Sequence, residues 1–518
     1  MNLPSTRTTG VLLHPTALPG SPACGTFGHP VREWLKILSN NSIGVWQLLP
    51  LSPTDGTGSP YSSPSGFAIN PWFLDAKDLA AEGFITVSAL HELPQERASS
   101  KCHSSLNLAL ANDRSRYLGR LLRESWCEQG QSRHKAFKEW FGKNPWVKDH
   151  SAFMELRRQN DDLPWWKWSN SLAQHKTLAL KEWEENNNEA LLEHQLVQWH
   201  LDRQWQAIRK LAKSLGVILF GDLPFYVARD SVDVWANREL FSIHSNGQME
   251  VQSGVPPDYF SETGQLWGTP IYRWKVHRLS SFNWWRKRLR RQWQQFDLLR
   301  LDHFRALDSY WAVPGQETNA VKGHWQSSPG IDLLETIRND FHGKIPLIAE
   351  DLGLITPEVE RLRDKFSLPG MKILQFAFDG NPENPYLPEN IKGNNWVVYT
   401  GTHDNPTTLS WWQNLEKESK DRVRETVQCN IEAPGWQLLE LALKTEAFLV
   451  IVPIQDLLNL DDEARFNTPG TTSGNWSWRL SSFGLPIENA LKDFQERGSF
   501  WGRSNESVLK LSESLGSR

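Results

Sequence analysis

Cysteine is scarce and unclustered: Cys24, Cys102, Cys127 and Cys429 stand far apart, without C-x-x-C spacing or a histidine cluster beside them. That pattern excludes a disulfide framework and a structural zinc site, and it suits a reducing compartment. An excess of charge of one sign is also missing. Lys and Arg number 56 against 60 Asp and Glu, so the formal net charge is −4 and no global basic field exists to hold nucleic acid or an anionic membrane. Apolar runs stay well short of the ~20 residues of a membrane span. The opening MNLPSTRTTGVLL lacks the charged-then-apolar pattern of a secretion signal. Cytoplasm is the expected location, with neither nucleic acid nor a membrane as partner. Tyrosine is thin as well, with 8 residues against 27 tryptophans.

What is present is ordinary globular chain with enough apolar content for a large core: 39% hydrophobic and 22% charged residues. Many tryptophans come in clusters, such as Trp165 and Trp166 with Trp168, Trp284 with Trp285, Trp411 with Trp412, and Trp476 with Trp478. An indole suits either core packing or stacking on the apolar face of a sugar ring, and composition alone favours packing. The basic stretch Arg286 to Arg291, in a helix expected after Asn283, reads as a solvated helix face.

Eight short β-type runs, each ending in a polar turn, alternate with helical patterning. They are Val11 to His14, Val45 to Leu51, Val217 to Leu223, Leu298 to His303, Leu347 to Leu352, Lys372 to Phe378, Val397 to His403, and Phe448 to Gln455. Eight strands alternating with helices predict an α/β fold, a (β/α)8 TIM barrel. Before the third strand, Leu192, Leu196, Trp199, Leu201, Trp205, Ile208, Ala212 and Leu215 fall mostly at helical spacings, and Gly216 supplies a stop. Roughly 165 residues separate the second and third strands, so an inserted, largely helical subdomain is expected over 75–190. A second insertion, expected over 225–297, holds the turn-rich GVPPDYFSETGQLWGTP. The whole chain, 1–518, reads as one catalytic barrel unit. The Asn186 to Asn188 run reads as a loop.

Four expected strands deliver a carboxylate at their C-terminal ends: Asp222 in FGDLPFYV, Asp302 in LLRLDHFR, Glu350 in LIAEDLG and Asp404 in YTGTHDN. Barrel chemistry sits at that rim. Strand alternation puts Arg300 on the same face as Asp302, so its guanidinium should hold Asp302 ionised, as a nucleophile requires. Glu350, partly desolvated beside an anion, should stay protonated and suit a general acid. Such a pair meets the needs of retaining glycoside chemistry, with His403 and Asp404 placed to grip ring hydroxyls.

In order along the chain, HPTALPG, GSPYSSPSGFAINPWFLD, GDLPFYVARDSVDVW, PPDYFSETGQLWG, LRLDHFR, AEDLG, GTHDN and RFNTPGTTSGNWSWR resemble the blocks of the amylomaltases, family 77 of the glycoside hydrolases and relatives of the α-amylases. The resemblance implies a 4-α-glucanotransferase acting on α-1,4-glucans and malto-oligosaccharides. It implies Asp302 as nucleophile, Glu350 as acid/base and Asp404 as transition-state stabiliser. It also implies sugar contacts by Tyr61, Asp222, Arg300, His403 and Trp267, a loop over the cleft carrying Asp258, Tyr259 and Phe260, and Asn475 as a further contact. Against typical α-amylases, the third-strand block lacks their asparagine-histidine ending and no EF-hand-like loop occurs, so no metal and no cofactor is expected. No stretch after the eighth strand is long enough for a C-terminal β-sandwich. An α-glucan hydrolase using the same carboxylates is the nearest alternative. A catalytically dead glucan-binding protein fits the carboxylate set less well, and a phosphate-handling barrel less again, for want of a Walker-type loop.

Overall fold

The computed structural model describes residues 7–95, 105–257 and 261–504. In chain order the first six strands are β1 (Thr8–Leu12), β2 (Val45–Gln47), β3 (Ile218–Leu223), β4 (Val251–Val255), β5 (Gln265–Pro270) and β6 (Leu298–Leu301). Then follow β7 (Ser309–Pro314), β8 (His324–Ser327), β9 (Leu347–Ala349), β10 (Gly370–Ile373), β11 (Trp396–Tyr399) and β12 (Leu449–Pro453). Eight of them pair in parallel in the order β10-β11-β12-β1-β2-β3-β6-β9. The Ala349 N–H donates to the Pro369 carbonyl at 2.8 Å, so the two edges meet and the sheet is a nearly closed (β/α)8 barrel.

Period-2 alternation divides each strand between two cores. Leu12, Val45, Ile218, Phe220, Leu298, Ile348, Met371, Ile373, Val397, Tyr399, Leu449 and Ile451 fill the lumen as one buried cluster. Their neighbours, such as Val11, Trp46, Leu219, Leu299 and Val450, pack outward against the helices. The lumen register continues through Asp222, Arg300, Asp302 and Glu350, which brings these polar groups to the C-terminal rim. Gly221 permits the step into the rim, because a Cβ there would lie 2.3 Å from the ring of buried Phe296.

The eight barrel strands coincide with the eight expected runs, with shifts at the ends. The first begins earlier, at Thr8 and Thr9, whose buried side chains give no apolar signal. The sixth ends at Ile373, and Leu374–Phe376 turns as a 3-10 helix. Between β2 and β3 run helices including Leu108–Glu124, Gln131–Lys143, Trp146–Gln159 and the long Asn188–Ser214, which buries Leu196, Trp199, Leu201, Trp205, Ile208 and Ala212. Gly216 ends that run at φ 68°, a left-handed conformation that glycine adopts freely. Asn187 is the joint between the helices Thr177–Asn186 and Asn188–Ser214, so the asparagine run is a tight break rather than an extended loop.

Two features depart from the sequence reading. A four-stranded antiparallel sheet, β5-β4-β7-β8, stands apart from the barrel sheet and joins the segment before β6 to the segment after it. The basic stretch is a solvated face only in part: on the helix Asn283–Gln295, Lys287 and Arg290 are exposed, but Arg288 and Arg291 are buried at 2% and 4% exposure. Arg288 donates to the carbonyls of Phe225 (3.0 Å) and Pro224 (2.7 Å), tying down the chain just past Asp222. Arg291 makes a bidentate pair with Asp202 at 2.7 and 3.1 Å, while Arg286 pairs with Asp340. Helical spacing predicts which residues share a face, but not that carbonyls and a carboxylate from other segments will meet that face.

Candidate active site

At the rim, one guanidinium organises the carboxylates. Arg300 on β6 donates through Nη1 to both oxygens of Asp222, at 2.9 and 2.8 Å, and its Nη2 lies 2.8 Å from Asp302 Oδ1. Burial alone would lower the pKa of Arg300, but Asp222 and Asp302 outweigh it and hold the cation charged. The Tyr61 hydroxyl donates to Asp222 Oδ2 at 2.7 Å, so the buried Asp222 is held at both oxygens. The Tyr61 ring in turn stacks on His403, 5.2 Å between centroids and 10° between planes.

Asp302 follows β6 directly, and His303 takes a left-handed backbone at φ 54°. That sharp turn aims the His303 N–H at Glu350 Oε2, 2.6 Å away, and the Leu352 N–H reaches Glu350 Oε1 at 3.3 Å. The two carboxyls nevertheless part in protonation. Burial pushes Glu350 up to about 8, and the Asp302 anion adds to the push while Arg300 opposes it. Burial pushes Asp302 up only to about 6, because the Arg300 ion pair pulls it back down. Water reaches Asp302, whose side chain is 31% exposed, and weakens the upward push further. The Arg300 ion pair thus favours the anion on Asp302, and burial favours the proton on Glu350. The expected hold of Arg300 on Asp302 is therefore present but has to work against burial.

His403, buried, has its pKa lowered by burial, against the pull of Asp404. Its Nε2 lies 3.4 Å from Asp404 Oδ2. Asp404 is 42% exposed at the side chain, and its Oδ1 accepts from Asn467 Nδ2 at 2.7 Å. Trp267, on β5 and 37% exposed, stands edge-on to His303 with centroids 4.7 Å apart. The extra sheet thus carries an indole beside the residue that follows Asp302.

The structure brings Tyr61, Asp222, Arg300, Asp302, Glu350, His403, Asp404 and Trp267 to one rim. Asn475 stands one step back: its Oδ1 accepts from the Thr468 N–H at 2.9 Å and its Nδ2 donates to Thr471, while its neighbour Trp476 packs against Tyr61 and His403. Asp258, Tyr259 and Phe260 lie outside the described residues. Sequence reasoning missed His303, Asn467 and Trp476. Each sits in a quoted block, LRLDHFR or RFNTPGTTSGNWSWR, but a positive φ or an amide aimed at a carboxylate leaves no mark in spacing. Thirteen of the 27 tryptophans are buried, among them Trp34, Trp46, Trp165, Trp205, Trp235 and Trp285.

A parallel barrel with two carboxyls at its C-terminal rim, one paired with a cation and one pushed up by burial, carries the groups that enzymes acting on glycosidic bonds use. The comparisons narrow the class. The family model described as 4-alpha-glucanotransferase matches residues 13–485. The 4-alpha-glucanotransferase of Thermus thermophilus is 42% identical over 491 residues, 93% of this chain and 95% of that one. That of Synechocystis is 40% identical over 480 residues, covering 91% and 94%. Among solved structures, the amylomaltase of Streptococcus agalactiae in complex with acarbose superposes with a TM-score of 0.91 at 31% identity, covering 96% of this chain and 100% of that one. The chain belongs to the 4-α-glucanotransferase family, whose members move stretches of α-1,4-glucan from one chain to another.

Proposed function

We propose that this enzyme transfers α-1,4-glucan segments by double displacement, with Asp302 as nucleophile and Glu350 as acid/base. The observation that carries the assignment is the Arg300 Nη2 lying 2.8 Å from Asp302 Oδ1: the guanidinium favours the anion on Asp302, while burial pushes Glu350 up and favours its protonated form. In the first step Asp302 attacks the anomeric carbon as Glu350 protonates the leaving glycosidic oxygen. The product is a covalent glycosyl ester with inverted configuration. Glu350, now a carboxylate, takes the proton from an acceptor 4-hydroxyl, whose oxygen displaces Asp302 and restores the α-bond. Asp222, held by Arg300 and Tyr61, and the neutral His403 supply sugar contacts. Asp404 opposes the charge that develops at the ring.

Malto-oligosaccharides fit as donors and acceptors because the groups at this rim meet neutral hydroxyls and ring faces. The Trp267 indole beside His303 supports an acceptor side covered against water. The net charge of −4, and the lack among the described residues of any helix long and apolar enough to cross a membrane, support a reading without nucleic-acid or membrane partners. The scattered cysteines support a cytoplasmic setting. Asp302→Asn and Glu350→Gln test the assignment: each should leave a folded protein slowed at least roughly 10³-fold on maltotriose. Near-normal turnover in either folded variant overturns it.

A further inference from the structure

Asp404 is the most open of the proposed catalytic carboxylates, and burial does not hold it still: 42% of its side chain is exposed. What restrains it is the strap 465–468. Asn467 Nδ2 donates to Asp404 Oδ1 at 2.7 Å, and the direction is unambiguous because a carboxylate only accepts. The Asn467 N–H donates to the His403 carbonyl at 3.1 Å. Arg465 clamps both sides, with Nη2 on the Asp404 carbonyl at 2.9 Å and Nε on the Asn467 carbonyl at 2.7 Å. Asn475 Oδ1 holds the next residue, Thr468, by its N–H at 2.9 Å, and the Trp476 N–H bonds the Phe466 carbonyl.

We propose that Asn467, backed by Arg465 and Asn475, is a positioning residue that fixes the carboxylate of Asp404 in the orientation the transition state needs. The inference rests on Asp404 having the third catalytic role. A carboxylate stabilises developing charge best when it does not have to reorganise at the moment of reaction. The strap provides that without touching the sugar. It also gives Asn475 a task, since its side chain is spent on the loop that carries Asn467. The charged and titratable groups around Asp404 are His403 at Oδ2, Arg465 at the backbone, and Asp302 and Tyr61 across the rim. Among the described residues, Asn467 is the one whose side chain hydrogen-bonds Oδ1.

Two substitutions test this. Asn467→Ala should lower kcat on maltotriose by about 10- to 100-fold with KM within about threefold, since the donor acts on the transition state rather than on ground-state binding. Asn467→Asp keeps the shape but sets two carboxylates together. Near neutral pH they repel, whereas in acid the pair shares a proton, and the introduced carboxyl then donates to Asp404 as the amide does. The ratio of the Asn467→Asp to the parental kcat/KM should therefore rise as pH falls from about 7.5 to about 5.5, while the Asn467→Ala ratio stays flat. A purely structural role would move both ratios alike. A folded Asn467→Ala enzyme within twofold of the parent, or a flat Asn467→Asp ratio, overturns the proposal. Asp404→Asn separates the two layers: if it stays active the role given to Asp404 fails, and if it is inactive while Asn467→Ala is normal only the positioning role fails.

Discussion

Asp302 and Glu350 share a rim, a cation and a chain turn, yet differ in what surrounds each oxygen. With Asp302 pushed up to about 6 and Glu350 to about 8, productive enzyme needs the first ionised and the second protonated. The profile of kcat/KM should rise with pH through about 6 and fall through about 8, and Glu350→Gln should abolish the fall along with most of the rate. The same shift acts on stability. The folded state keeps a proton on Glu350 that the unfolded chain releases near the ordinary value, so unfolding free energy drops as pH climbs between the two. Glu350→Gln is relieved of that loss. Its melting temperature should exceed the parent's by more at pH about 8 than at pH about 5, and an equal difference at both would show that burial does not strain this carboxyl. Trp267 gives a second prediction at this scale. Replacing it with alanine removes indole cover beside His303 and should raise the hydrolysis-to-transfer ratio more than it lowers donor cleavage, read as free reducing ends per bond broken.

At the scale of elements, the helix Asn283–Gln295 shows how a catalytic end is braced from outside the barrel. Arg291 pairs with Asp202 from the long helix, and Arg288 holds the carbonyls that follow Asp222. Arg291→Leu leaves Asp202 largely buried with, among the described residues, the Trp140 indole N–H as its remaining side-chain partner, and should cost about 3–5 kcal/mol in urea unfolding. Adding Asp202→Leu should recover most of that, because the penalty lies in the stranded charge. If the double variant is as weak as the single one, the pair is not what matters there. The sequence showed these arginines only as a charge run. Helical periodicity was legible in Asn188–Ser214 because its apolar side chains repeat at three and four. The antiparallel sheet was not legible: VQSGV, QLWGTP and HWQS are short and of mixed polarity, the first buried at its centre, the second partly and the third largely exposed, and their order depends on pairing with strands beyond β6. The barrel strands were legible for the opposite reason, since a parallel strand buried on both faces writes a continuous apolar run.

For the whole molecule, the rim was readable because alternation along buried strands dictates which residues reach the lumen's end, so Asp222, Arg300, Asp302 and Glu350 followed from register alone. Their division into nucleophile and acid could be expected from Arg300 sharing a face with Asp302, whereas the backbone N–H of His303 on Glu350 needed the structure. The support behind Asp404 needed a loop 61 residues away in the chain. Family membership points to an enzyme that hands its glucan to a sugar rather than to water. The most direct test is incubation with maltotriose, following chain lengths and reducing ends together. Glucose and chains longer than maltotriose, with little gain in reducing ends, is the predicted result; a steady rise in reducing ends without longer chains would contradict it.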